Sequence, residues 1–190
     1  MMDKRPVIFL DRDGVLCEER GYVTSLSELR LFPYAEESVT RMHALGYAVI
    51  VITNQSAIAR GLVDKDVVDN IHRHIVQETG VDHIYCCPHL PPKPGEPQIP
   101  PYRMVCGCRK PRTGLIDRAV CDYGFDLKGA FFVGDRAGDI ETGQAAGIRT
   151  VLLQSGYGLT RLERPVRPDL IFDTLLDFVK YLEEGNFSAV

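Results

Sequence analysis

The sequence predicts an α/β protein: a three-layer, doubly wound parallel sheet with helices on both faces. Short apolar runs alternate along the chain with segments of helical periodicity, the pattern of a parallel sheet. Acidic residues follow two of these runs, at positions 11 and 13 and again at 135. Open α/β sheets bind their ligands at the carboxyl ends of strands. The 190 residues, 45% of them apolar, are enough for one domain over 1–190 with a sizeable core.

Val7-Ile8-Phe9-Leu10 reads as a strand buried on both faces. Residues 35–45 read as a helix ending near Gly46. Residues 48–52 are a β-branched run bounded by Gly46 and Asn54, a second buried strand. Helical spacing of Val67, Val68, Ile71 and Ile75 marks a helix over 64–79, stopped by Gly80. Ile84-Tyr85 opens a short strand, and residues 113–123 form a helix ending at Gly124. The rest follows as a strand at 130–133, a helix at 139–146, a strand at 149–153 and a last helix at 173–184.

A net charge of -4 leaves no basic footprint for nucleic acid. No apolar run approaches the roughly 20 residues of a membrane span. Only four apolar residues separate Pro6 from Asp11, too few for a secretory signal. A cytoplasmic monomer is the expectation. In that setting six cysteines point to metal or free thiols before disulfides.

Eight of the 12 prolines lie between Pro88 and Pro111. A loop of about 20 residues without secondary structure is uncommon in a compact domain, so something must hold it. Cys87 and His89 open it, and Cys106 and Cys108 close it. Four thiolate and imidazole ligands suit a structural, tetrahedral zinc, which would staple a loop over 87–108. Single-residue spacing is less usual for zinc than two, and buried thiols with a surface His are the alternative. Cys86 alternates with Cys87 on an extended chain. Cys86, Cys17 and Cys121 are read as packing residues.

Asp11 and Asp13, beside the turn-permitting Gly14, can bind a hard cation or attack an electrophile. Thr53, Asn54, Gln55 and Ser56 follow the second strand, where hydroxyls and turn amides can donate to a phosphate or simply cap a helix. Arg60 contacts substrate or pairs on the surface. Lys110 can neutralise a phosphoryl group, and Arg109 can grip a second anion. Asp135 can face Asp11 and Asp13 across the sheet's switch point. Carboxylates converging there repel unless a cation, best Mg²⁺, sits among them. Asp139 is either a helix N-cap or a metal residue.

Together these segments resemble the haloacid dehalogenase superfamily. Asp11-Arg12-Asp13-Gly14 is similar to its first motif, Thr53 to its second, Lys110 to its third and Gly134-Asp135 to its fourth. The cysteine–histidine loop resembles that of the histidinol-phosphatase and heptose-bisphosphate-phosphatase branch, which has no large cap domain. The resemblance implies a Rossmann-like fold and a phosphomonoesterase with Asp11 as nucleophile and Asp13 as acid and base. Asp11, Asp135 and the Asp13 carbonyl would hold Mg²⁺. Thr53 and Lys110 would hold the phosphoryl oxygens. Glu19, Arg20, Gly21, Tyr22 and Arg136 join the substrate side, with a small phosphorylated sugar as the expected partner. Residues 21–23 and 56–61 are similar to the heptose 1,7-bisphosphate 7-phosphatases, which usually carry Gly where Ala57 stands. Residues 87–91 and 134–137 are also similar to the histidinol-phosphate enzymes. Outside this class stand a non-catalytic phosphosugar-binding module and a zinc-stabilised interaction module.

Overall fold

The computed structural model describes residues 5–95, 100–158 and 162–185. Six parallel strands form one sheet: β1 (Pro6–Leu10), β2 (Ala48–Asn54), β3 (His83–Cys87), β4 (Asp126–Gly134), β5 (Arg149–Leu153) and β6 (Leu170–Phe172). Their order across the sheet is β3-β2-β1-β4-β5-β6. The order reverses between β1 and β4, which places the switch point between the first acidic strand end and the second.

Alternation along each strand splits the core in two. Ile8, Leu10, Val49, Val51, Phe131 and Val133 face one layer with Val39, Met42, Ile71, Ile75 and Phe178. Those partners belong to α1 (Ala35–Ala44), α2 (Lys65–Thr79) and α5 (Leu175–Glu183). Val7, Phe9, Ile50, Ile52 and Phe132 face the other layer with Leu115, Ile116 and Ala119. These lie on α3 (Gly114–Tyr123). There α4 (Ala137–Ala145) also packs, its Gly143 pressed against Phe132 and Thr150. In-register pairing of Phe9 with Ile50 and Phe132 fixes β1 between its neighbours, so both acidic strand ends open at one edge.

The predicted fold class stands, with local revisions. β4 starts at Asp126, four residues before the expected 130, because its first half is exposed and lacks an apolar run. β6 was not expected: it has three residues, only partly buried. A 3-10 turn at Leu26–Glu28 was likewise not foreseen. Helix α4 starts at Ala137, before the expected 139. Asp139 is therefore not the N-cap but the third helical residue, and its Oδ2 accepts from the Arg136 N–H at 3.0 Å. Cys121 is exposed, not packed, because it lies on the outer face of α3. Residues 96–99 of the proline-rich loop lie outside the described residues. No large cap covers the carboxyl edge among the described residues, and none of their helices is long and apolar enough to cross a membrane.

Candidate active site

Asp11 leaves β1 with its N–H still bonded to the Val133 carbonyl at 2.9 Å, so the sheet itself fixes its backbone. Its Oδ1 accepts from the Arg12 N–H at 2.7 Å and meets Lys110 Nζ at 2.8 Å. The same ammonium lies 2.6 Å from Asp139 Oδ1. Asp135, wholly buried at the end of β4, completes a cluster in which Asp11, Asp135 and Asp139 each bring an oxygen within 4.8 Å of the others. One Asp135 oxygen accepts from the Tyr157 N–H at 2.8 Å, while the other, Oδ1, is buried without a partner. An orphaned carboxylate oxygen among three acids fits a divalent cation, since an unpaired buried acceptor is otherwise costly.

Two glycines make this convergence feasible. Gly14 has a φ of +78°, and a Cβ there would run into Asp135 Oδ2. A Cβ on Gly156 would strike the same oxygen and approach the Gly14 Cα to 2.8 Å.

Electrostatics follow from burial. Desolvation raises Asp11 to about 6 despite Lys110, with Asp139 and Asp13 adding to the rise. Desolvation, then Asp139 and Asp11, raise Asp135 to about 8. Burial works against the Lys110 charge, but Asp11 and Asp139 reverse that and hold it protonated. Burial would also raise Asp13, yet Arg12 and the Gln55 amide overcome it and hold the carboxyl below its ordinary range. Asp11, implied as the nucleophile, thus holds its proton more tightly than Asp13, implied as the acid. A positive ion at Asp11 would bring its pKa back down.

Lys110 owes its place to the loop behind it. Asn54, expected on substrate, spends its amide on the Lys110 backbone: Oδ1 accepts from Lys110 N at 3.1 Å and Nδ2 donates to Lys110 O at 3.2 Å. Gln55 Nε2 donates to Asp13 Oδ2 and Thr53 Oγ1, both at 2.9 Å, which leaves the buried Thr53 hydroxyl hydrogen free to donate. Two residues before Lys110, Cys108 Sγ lies 3.2 Å from Cys87 Sγ, 3.4 Å from Cys106 Sγ and 3.3 Å from His89 Nδ1. Cys87 Sγ lies 3.6 Å from Cys106 Sγ and 3.7 Å from His89 Nδ1. A disulfide would need about 2.05 Å. A tetrahedron of about 2.3 Å metal–sulfur bonds puts its corners roughly 3.8 Å apart, so the four ligands fit a zinc.

Above the acids opens a cleft of about 520 Å³. Of the residues expected to meet substrate, Glu19, Gly21, Tyr22, Asn54, Gln55, Ser56, Arg60, Arg109 and Arg136 line it. Arg20 does not: it is half exposed and pairs with Glu18 at 3.2 Å. Arg60 lies over the Tyr22 ring at 5.7 Å, and its Nε is buried without a partner. Arg109 donates to the His89 carbonyl at 3.1 Å. Arg136 pairs with Glu19 at 2.9 Å and covers the Tyr157 ring at 4.0 Å. Tyr157, Glu163 and Arg164 also line the cleft and were not foreseen. The glycines at 156 and 158, following β5 at the same carboxyl edge, were the signal for this wall.

Residues 107–178 match the profile of the HAD-hydrolase-like family. D-glycero-beta-D-manno-heptose-1,7-bisphosphate 7-phosphatase of Pseudomonas aeruginosa is 38% identical over 90% of this chain and 94% of its own. Its Haemophilus ducreyi namesake is 32% identical over 94% and 98%. The crystal structure of D,D-heptose 1,7-bisphosphate phosphatase from B. bronchiseptica, complexed with magnesium and phosphate, superposes with a TM-score of 0.78. It is 31% identical, covering 95% of this chain and 99% of that one. With relatives this similar over nearly its whole length, the chain belongs to the haloacid dehalogenase superfamily of phosphoric monoester hydrolases, in the histidinol-phosphatase and heptose-bisphosphate-phosphatase branch.

Proposed function

We propose that this chain removes the 7-phosphate of D-glycero-D-manno-heptose 1,7-bisphosphate through an aspartyl-phosphate, with Mg²⁺ in the acidic cluster and Zn²⁺ in the loop. The observation that carries this reading is the buried, unpartnered oxygen of Asp135, a residue clustered with Asp11 and Asp139. Asp11, Asp135 and the Asp13 backbone carbonyl would hold the magnesium, with Asp139 beside them. The ion would offset phosphoryl charge and let an anionic nucleophile approach an anionic substrate. Cys87, His89, Cys106 and Cys108 would hold the zinc.

Asp11 attacks the phosphorus, and the bond from phosphorus to the sugar oxygen breaks as Asp13, protonated in the substrate complex against the pull of Arg12, gives that oxygen a proton. Asp13 then takes a proton from the water that attacks the phosphoenzyme, and the Asp11 carboxylate is released with inorganic phosphate. Thr53 and Lys110 hold the equatorial oxygens, since positioning and charge stabilisation do most of the work in phosphoryl transfer. Arg60, Tyr22, Arg109 and Arg136 line the side where the sugar and its second phosphate would sit. The names of the relatives support the heptose substrate. The enzyme would act in the cytoplasm as a monomeric single domain.

The test is kcat/KM on heptose 1,7-bisphosphate beside histidinol phosphate, because discrimination lives in that ratio. At least a hundredfold preference for the heptose ester is expected, on the order of 3 kcal/mol of transition-state discrimination. A preference for histidinol phosphate would replace the substrate and leave the reaction class standing.

A further inference from the structure

Arg12 sits between the two acids of the first motif, yet it does not line the cleft. It is the largest fully buried side chain among the described residues, 1% exposed. Its guanidinium runs behind Asp13 in an unequal fork. Nη2 donates to Asp13 Oδ1 at 2.8 Å, and Nε reaches Oδ1 and Oδ2 at 3.1 Å each. Nη1 points the other way and meets Nε2 of His72 at 3.3 Å. His72 is itself buried on α2 beside Val68, Ile71 and Ile75. Burial, aided by the Arg12 charge, pushes its pKa down to about 3, so the ring is neutral and Nε2 accepts. Gln55 Nε2 also donates to Asp13 Oδ2 at 2.9 Å, and Cys17 Sγ touches Oδ1 at 3.5 Å.

Packing alone does not call for this residue. The site is buried, and a leucine or methionine there would avoid the cost of burying a charge. Nor does Arg12 reach the substrate. What the guanidinium does is hold one carboxylate in a fixed plane, anchored on α2, while that carboxylate still lines the cleft.

We propose that Arg12, braced by His72, is the positioning residue of the acid–base step: it fixes the Asp13 carboxyl so that its open side meets the leaving oxygen and then the attacking water. This rests on the aspartyl-phosphate reading above. Proton transfer depends on hydrogen-bond geometry to within tenths of an ångström, and a freely rotating carboxyl in a turn would not hold it.

Leaving-group dependence tests this directly. p-Nitrophenolate departs without a proton, whereas the sugar alkoxide of heptose 1,7-bisphosphate needs one. Rapid-quench single turnovers would follow release of each leaving group in the parent, Asp13→Asn, Arg12→Lys and Arg12→Met. Arg12→Lys keeps the charge and loses the fork. Sugar release should slow about 100-fold in both Arg12 variants, with nitrophenolate release within about threefold of the parent. With nitrophenyl phosphate in excess, slow hydrolysis of the phosphoenzyme should then give a nitrophenolate burst approaching one per active site. Asp13→Asn should show the same selectivity. If Asp13→Asn is selective while folded Arg12 variants slow both esters equally, or neither, the proposal is overturned and the mechanism survives. If Asp13→Asn is itself unselective, the acid–base reading of Asp13 falls first. Should the Arg12 variants lose the parent circular dichroism, His72→Gln decides: a severalfold loss confined to the sugar ester supports the brace, and an equal loss or none refutes it.

Discussion

Asp11, the proposed nucleophile, sits in an environment that resists its charge. Burial raises it, and the Lys110 ammonium opposes that rise. Asp11→Asn keeps the shape and the Lys110 contact but removes the attacking carboxylate. Turnover should fall at least about 1,000-fold, with an unchanged circular dichroism spectrum and retained binding of inorganic phosphate by calorimetry. Near-parent activity would remove Asp11 as nucleophile. Gly156 offers a test from the opposite wall. Alanine there would drive a methyl into Asp135 Oδ2 and toward Gly14. Overpacking of this kind costs roughly 1–3 kcal/mol, so the melting temperature should drop and magnesium should bind more weakly. An unchanged magnesium titration would show that the Asp135 carboxylate has room to move. At this scale the sequence was legible where a polar residue interrupts an apolar strand end, as at positions 11, 53 and 135. It was less legible at Arg12, because a charged side chain in a turn reads as solvent-facing. Tyr157 stayed hidden because it contributes a backbone N–H, which no residue type advertises.

The strands illustrate the same point one level up. β1, β2 and β5 are buried along most of their length, so each wrote an unbroken apolar run. β6 is only three residues long and the first half of β4 lies partly in solvent, so neither left an apolar run long enough to read. The loop from β3 to α3 is legible in a different currency, ligands in place of hydrophobicity. It has no helix or named strand among its described residues, only a bridge from Leu90 to Arg103. Its end at Cys108 hands the chain directly to Lys110, which Asn54 clamps from β2. The zinc proposed there should therefore matter to catalysis through geometry. Metal analysis of protein purified without chelator should find one zinc per chain. Stripping it, or replacing His89 with alanine, should lower the melting temperature by several degrees. It should also cut kcat at least about tenfold, because Lys110 loses its backing. Metal-free protein with the parent's melting temperature and kcat would leave the four ligands as a passive thiol cluster.

Bringing strand ends from both halves of the sheet to one point has a cost that the whole molecule bears. Asp11 is raised to about 6 and Asp135 to about 8, from an ordinary carboxylate value of 3.8. Folded protein therefore binds protons more tightly than unfolded protein between about pH 4 and pH 8. The stability from these two groups is full below pH 4 and is lost as pH rises through 6 and then 8. Asp13 runs the other way, held below its ordinary range by Arg12, and its contribution is lost only on strong acidification. A divalent cation in the cluster competes with those protons and stabilises the folded form by mass action. Its benefit should grow as the protons leave. Melting temperatures measured without metal should decline from pH 5 to pH 8, and the gain from saturating magnesium should be several degrees larger at pH 8. Asp135→Asn removes one of the two raised carboxyls and one proposed magnesium ligand together, so it should flatten the metal-free decline and shrink the gain. A magnesium gain equal at both pH values would mean that the ion does not replace those protons, and the acidic cluster would need another occupant.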